Sequence, residues 1–88
     1  MPYTVVIPKS AKKELAALPR QIGERVVAAI RGLASEPRPD GCVKLAGLKD
    51  TYRLRVGDYR VVYDIHDRIL QVLLLKVGHR RDVYRENA

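Results

Sequence analysis

The sequence predicts an α+β fold: an N-terminal strand and a helical hairpin packed on an antiparallel-rich sheet of four or five strands. Three observations lead there. Apolar residues between positions 9 and 34 recur at helical spacing, with one interruption at Pro19. Short apolar or alternating runs fill positions 43–77, separated by Gly- and Asp-containing breaks. A β-branched run precedes the helices. The order is β-α-α-β-β-β-β, closed by a short C-terminal helix or turn.

Each element has a local reason. Tyr3-Thr4-Val5-Val6-Ile7 is bounded by Pro2 and Pro8 and reads as a strand. Ser10 is placed to cap a helix over Lys9–Ala17, where Ala11, Leu15 and Leu18 share a face. Pro19 stops that helix and suits the start of the next, Arg20–Ala34. Ile22, Val26, Ala29, Ile30 and Leu33 form its buried stripe, with Arg20, Glu24 and Arg31 off it. Glu36-Pro37-Arg38-Pro39-Asp40-Gly41 breaks the chain. Val43–Leu45 is a weak strand and Gly47–Asp50 a turn. Thr51–Val56 alternates, Gly57-Asp58 is a two-residue hairpin turn, and Tyr59–Ile65 returns. After a turn at His66-Asp67-Arg68, Ile69–Val77 is apolar on both faces, as a strand covered on both sides would be. Gly78 should end it, and His79–Glu86 is a short polar end piece of one or two helical turns.

At 88 residues the chain is long enough for one domain, residues 1–88, and its 47% hydrophobic content supplies a dense small core. Tyrosine is the only aromatic, at Tyr3, Tyr52, Tyr59, Tyr63 and Tyr84. Most of these should bury a ring and bond a hydroxyl at the rim of the core. The net charge of +7 favours a polyanion or an acidic protein as partner. The charge is spread: residues 1–43 hold seven Lys/Arg against four Asp/Glu, and residues 44–88 ten against six. Any basic patch must be assembled by folding. Cys42 is the only cysteine, so no internal disulfide or zinc-ligand spacing exists, which fits a reducing cytoplasm. The N-terminus is too polar for a signal peptide, and Ile69–Leu75 is far too short to span a bilayer. No cofactor or metal is expected.

The hairpin Tyr52–Tyr63 is the most informative segment. A symmetric loop at Gly57-Asp58 pairs Val56 with Tyr59, Arg55 with Arg60 and Leu54 with Val61. Arg53, Arg55 and Arg60 then share one face, while Tyr52, Leu54, Val56, Tyr59, Val61 and Tyr63 meet the helices. Two arginines directly opposite each other repel. The pairing makes sense with a phosphate or an acidic chain between them. It also fits arginines that spread into solvent, with Asp64 near enough to neutralise them.

A second cluster, Gly78-His79-Arg80-Arg81-Asp82-Val83-Tyr84-Arg85, follows the last strand. His titrates near neutrality, Arg presents a donor fork to phosphate, and Tyr stacks on bases or donates its hydroxyl. These are tools for cleaving RNA through its own 2′-hydroxyl, though a basic terminus is also the commonest kind of solvated surface. Val83 should pack inward, and His66 reads as an exposed turn residue. Lys9, Lys12 and Lys13 form the wet face of the first helix. Together with Lys44 and Arg81 they are the candidates for widening an RNA- or ribosome-binding surface. There is no Gly-rich phosphate loop, HExxH motif or persuasive Ser/His/Asp set.

The stretch Lys44-Leu45-Ala46-Gly47-Leu48, then Tyr52-Arg53-Leu54-Arg55-Val56-Gly57-Asp58-Tyr59-Arg60-Val61-Val62-Tyr63, then Val77-Gly78-His79-Arg80-Arg81-Asp82-Val83-Tyr84, resembles the RelE/ParE superfamily of toxin–antitoxin toxins. The helical hairpin agrees in length and order, so the resemblance covers nearly the whole chain. It implies a RelE-like toxin that enters the ribosomal A site and cuts messenger RNA, leaving a cyclic phosphate and a 5′-hydroxyl. It implies a cognate acidic, RelB-like antitoxin, with operator DNA bound only through the complex. Arg53, Arg55, Arg60, Arg80 and Tyr84 match the family's working positions, and His79 matches the histidine that some relatives use. Well-known members carry lysines on the first hairpin strand, where Arg53 and Arg55 stand here. Arginine does not release its proton, so His79 or Tyr84 would have to move protons. The family's extra basic residue in the first motif is Ala46 here. The same superfamily also implies an alternative: a ParE-like inhibitor of DNA gyrase that cuts nothing. A third reading is a degenerate toxin kept as a binding module.

Overall fold

The computed structural model describes residues 2–81. Its elements are β1 (Thr4–Val6), α1 (Lys9–Ala16), α2 (Arg20–Gly32), β2 (Cys42–Lys44), β3 (Thr51–Val56), β4 (Tyr59–His66) and β5 (Gln71–His79). The strands form one five-stranded sheet in the order β1-β5-β4-β3-β2. Every pairing is antiparallel except β1 on β5. The α+β architecture expected from the sequence is the one observed.

The helices cover one face, α1 lying on β5 and α2 on β3. Ala11, Val26, Ile30 and Leu33 meet Leu54, Val56, Val61, Tyr63, Ile65, Val72, Leu74 and Val77 in one core. The alternation of β3 and β4 puts Tyr52, Leu54, Val56, Tyr59, Val61 and Tyr63 against that core, as expected.

Several boundaries differ from expectation. Ser10 does not cap α1. The helix starts at Lys9, as expected, but with Pro8 at its cap, whose carbonyl accepts the first helical bond, from Lys12 N–H at 2.9 Å. Pro8 holds the extended conformation that both ends β1 and starts the turn. The last strand begins at Gln71, because Asp67–Ile69 forms a 3₁₀ turn and Leu70 takes a left-handed φ of 51°. Gly78 does not end it: Arg60 and Tyr59 supply partners for Gly78 and His79. Nor is β5 covered on both sides. Leu75 is 42% exposed, because both helices lie on the other face of the sheet.

That exposure marks a bulge. Val62 pairs with Lys76 but Tyr63 with Leu74, so Leu75 is an extra residue in β5. Val72 and Leu74 face the core before it and Val77 after it, so the side-chain phase changes by one position. β1 pairs only with Gln71–Leu73, leaving the rest of that edge of β5 without a strand. Glu14 of α1 substitutes for one. Its carboxylate accepts the Val77 N–H at 2.8 Å and the Lys76 ammonium at 2.9 Å.

The end of the sheet away from the β3–β4 turn is held by polar contacts. Arg38 donates two bonds to Asp67, at 2.8 and 3.2 Å, and one to the Tyr52 hydroxyl at 3.2 Å. Tyr3 donates to Asp67 at 2.6 Å. Tyr63 stacks near Tyr52 and donates its buried hydroxyl to the Pro37 carbonyl at 2.9 Å. Burial raises the Tyr63 pKa. Among the described residues, no helix is long and apolar enough to cross a membrane.

Tyr63→Phe leaves the Pro37 carbonyl without that donor, and should lower stability by about 1–2 kcal/mol in urea melts. The Arg38 and Tyr3 bonds hold the Asp67 pKa down at about 2, from an ordinary 3.8. A carboxylate with a lowered folded pKa adds stability that is complete above its ordinary value and fades as pH falls toward the folded one. The gap in melting temperature between the native chain and Asp67→Asn should therefore shrink from pH 4 to pH 2. Both groups are exposed, so salt should narrow the gap as well.

Candidate functional site

The β3–β4 turn has two central residues, Gly57 and Asp58. Gly57 takes φ +60° and Asp58 has no positive φ, which is the pattern of a type II′ turn. An even loop of this kind sets the register without slippage. Val56 pairs with Tyr59, Arg55 with Arg60, Leu54 with Val61, and Arg53 with Val62. Arg53, Arg55 and Arg60 consequently share the sheet face opposite the helices.

The two opposed arginines ease their repulsion through one acceptor. Arg55 Nε donates to the Gly57 carbonyl at 3.1 Å. Arg60 Nη1 reaches the same oxygen at 3.4 Å and the Tyr59 carbonyl at 3.2 Å. Among the described residues no carboxylate forms an ion pair with either. The ion pairs among the described residues are Arg38–Asp67 and Lys76–Glu14. Asp64, on the same face, instead accepts the Thr51 hydroxyl. The cluster is thus a pair of guanidiniums that share a neutral carbonyl as acceptor.

The end of β5 adjoins it. Gly78 lies beside Arg60 and offers no side chain. The Arg80 N–H donates to the Asp58 carbonyl at 2.8 Å, which ties the segment after β5 to the hairpin turn. Arg80 and Arg81 are both exposed there. His79 pairs with Tyr59, and the two rings meet edge to face with centroids 5.3 Å apart. His79 Nδ1 accepts the Arg81 N–H at 3.2 Å, leaving Nε2 as the nitrogen able to exchange a proton with a ligand.

The predicted set is thus divided. Arg53, Arg55 and Arg60 occupy one face. The bulge at Leu75 turns His79 to the other, against Tyr59. Without that extra residue, alternation would have put His79 on the arginine face. Arg80 and Arg81 stand at the end between them. Tyr84, and Val83 with it, lies outside the described residues. Lys9, Lys12 and Lys13 are exposed on α1, and Lys44 is exposed on the edge strand β2. His66 closes β4, half-buried and opposite Gln71, where an exposed turn was expected.

One neighbour of the turn carried no signal in the sequence. A Cβ placed on Gly57 would lie 3.6 Å from Arg25 Nη1 of α2. Helical spacing marks Arg25 only as outside the buried stripe, and nothing local connects it to residue 57.

Comparison with known proteins agrees with this geometry. A family model described as the ParE toxin of the type II toxin–antitoxin system parDE matches residues 5–84. The chain belongs to the RelE/ParE superfamily of type II toxins. It is 40% identical to Toxin RelG of Mycobacterium tuberculosis over 97% of this chain and 99% of that one. Toxin RelE of the same organism is 34% identical over 98% and 90%. Among solved structures, the archaeal RelE–RelB complex from Pyrococcus horikoshii OT3 matches with a TM-score of 0.81 at 34% identity, over 93% of this chain and 99% of that one. The RelBE2 toxin–antitoxin complex from Mycobacterium tuberculosis matches at 0.78 and 35%, over 91% and 100%.

Arg55→Thr removes the cross-strand repulsion, worth roughly 0.2–1 kcal/mol, together with one bond to Gly57. Its melting temperature should stay within a few degrees of the native value, while affinity for single-stranded RNA falls in a filter-binding assay. A large loss of stability would mean that the arginine pair holds the fold.

Proposed function

We propose that this toxin is a ribosome-dependent endoribonuclease that cuts messenger RNA in the ribosomal A site, acting as one domain over residues 1–88. The observation that carries the reading is the opposed pair Arg55–Arg60, uncompensated by any carboxylate among the described residues and adjoined by Arg80. The relatives named RelE and RelG support it.

The reaction is a transesterification. The ribose 2′-oxygen attacks the adjacent phosphorus and gives up its proton. The bond from phosphorus to the 5′-oxygen breaks, and that oxygen gains a proton. A 2′,3′-cyclic phosphate and a 5′-hydroxyl result. Arg53, Arg55, Arg60 and Arg80 stabilise the added charge on the phosphorane, for which a guanidinium fork is suited. None of them serves as base. His79 moves a proton through Nε2, reaching the substrate round the end of β5 past Gly78. Tyr84 stacks on or bonds near the scissile nucleotide. Lys9, Lys12, Lys13, Lys44 and Arg81 extend the contact to RNA and ribosome. An acidic antitoxin of the RelB kind neutralises the chain by covering its basic surface, and it alone carries the complex to operator DNA. The site of action is the cytoplasm, where messengers are translated.

The ParE description of the matching family favours a second reading, a non-cutting inhibitor of DNA gyrase. Such an inhibitor has no need of Arg55, Arg60 and Arg80 at one turn.

Brief induction in bacteria, followed by primer extension on an abundant messenger, separates the two. New 5′ ends should appear within translated regions, vanish with Arg60→Ala and Arg80→Ala, and fall by about 100-fold or more with His79→Ala. Growth arrest with intact messenger and a DNA-damage response would replace the nuclease reading with gyrase inhibition.

A further inference from the structure

We propose that Arg25 of α2 is a third phosphate-binding residue at this turn, holding the RNA backbone beside the phosphate that Arg55 and Arg60 engage. The inference rests on the nuclease reading and adds a residue that the superfamily motif does not include.

Three guanidiniums surround Gly57. Arg55 and Arg60 both donate to its carbonyl, and Arg25 Nη1 lies 3.6 Å from where its Cβ would be. Arg25 and Arg55 also line one groove of about 550 Å³ between α2 and β3. Arg25 is exposed on α2. An acid three or four residues away would pair with a helical arginine. Here those positions hold Gln21, Ile22, Ala28 and Ala29. Neither ion pair among the described residues involves Arg25. Three guanidiniums near one turn, with no ion pair to any of them among the described residues, are suited to an anion.

The groove pairs apolar walls with positive charge. Its walls are apolar at Ala28, Ala29, Pro39, Leu54 and Val56, and its charged groups, Arg25 and Arg55, are both cations. Two cations and no acid among its lining residues suit the charge of a phosphodiester backbone. Ala28, Ala29 and Gly32 line the same groove and leave the approach to Arg25 open. Gly57 lets the strand pass close over the turn, since its positive φ excludes most side chains. The RNA would cross the hairpin turn from the arginine face into this groove.

The test uses the full chain with Arg25→Ala and Arg25→Lys, and Arg31→Ala as an exposed control farther along α2. The probes are a short single-stranded RNA titrated at several salt concentrations, a poly-glutamate peptide, and primer extension after induction. Arg25→Ala should melt like the native chain, because alanine favours an exposed helix. It should lower the slope of log affinity against log salt by about 0.7 and weaken RNA binding roughly fivefold. Messenger cutting should fall by about tenfold. Arg25→Lys should restore the slope but only part of the cutting, since it keeps the charge and loses the fork. Arg31→Ala should change neither. If the native chain cuts messenger and Arg25→Ala cuts equally with an unchanged slope, the inference is overturned and the nuclease reading stands. Weakened poly-glutamate binding with unchanged RNA binding would also overturn it, and would make the groove a dock for an acidic protein. A lowered slope in a chain that cuts no messenger would support the phosphate contact and overturn the nuclease reading.

Discussion

A two-residue turn joins two antiparallel strands in one register, and at Gly57-Asp58 that register determines most of what surrounds the site. It sets Arg55 opposite Arg60 and points the Gly57 carbonyl at both. It presents the Asp58 carbonyl to the Arg80 N–H, so the segment leaving β5 is anchored to the same turn. It also brings the turn within reach of Arg25 on α2. A slip of one residue would carry every arginine to the core face, where an unpaired charge is costly to bury.

The second constraint is the extra residue in β5. Before Leu75 the strand presents even-numbered side chains to the core, and after it odd-numbered ones. The change keeps Val77 in the core and turns His79 to Tyr59. Glu14 compensates on the open edge by accepting the Val77 N–H that β1 is too short to reach. The strand that carries His79 is thus also bonded by a helix residue more than sixty positions earlier in the chain.

The two ends of the sheet differ in charge logic. At one end Arg38 is matched: a carboxylate, two tyrosine hydroxyls and a ring share its neighbourhood. At the other end, among the described residues, Arg55 and Arg60 donate to backbone oxygens. A matched charge contributes to the fold; an unmatched one lowers stability slightly and leaves potential at the surface for a ligand.

Local rules made the element order, the hairpin turn and the arginine face legible from residues 51–63, because periodicity and turn chemistry act between near neighbours. The superfamily motif was equally visible there. The cap of α1, the left-handed Leu70 and the true extent of β5 were not, because they depend on which backbone groups find partners elsewhere. The side taken by His79 followed from a bulge that periodicity cannot foresee when both faces of a strand are apolar. Arg25 joined the turn only through packing of α2 over β3. Alternation and turn type are properties of a segment, whereas the meeting of Arg25, Gly57 and Arg60 is a property of how three segments pack.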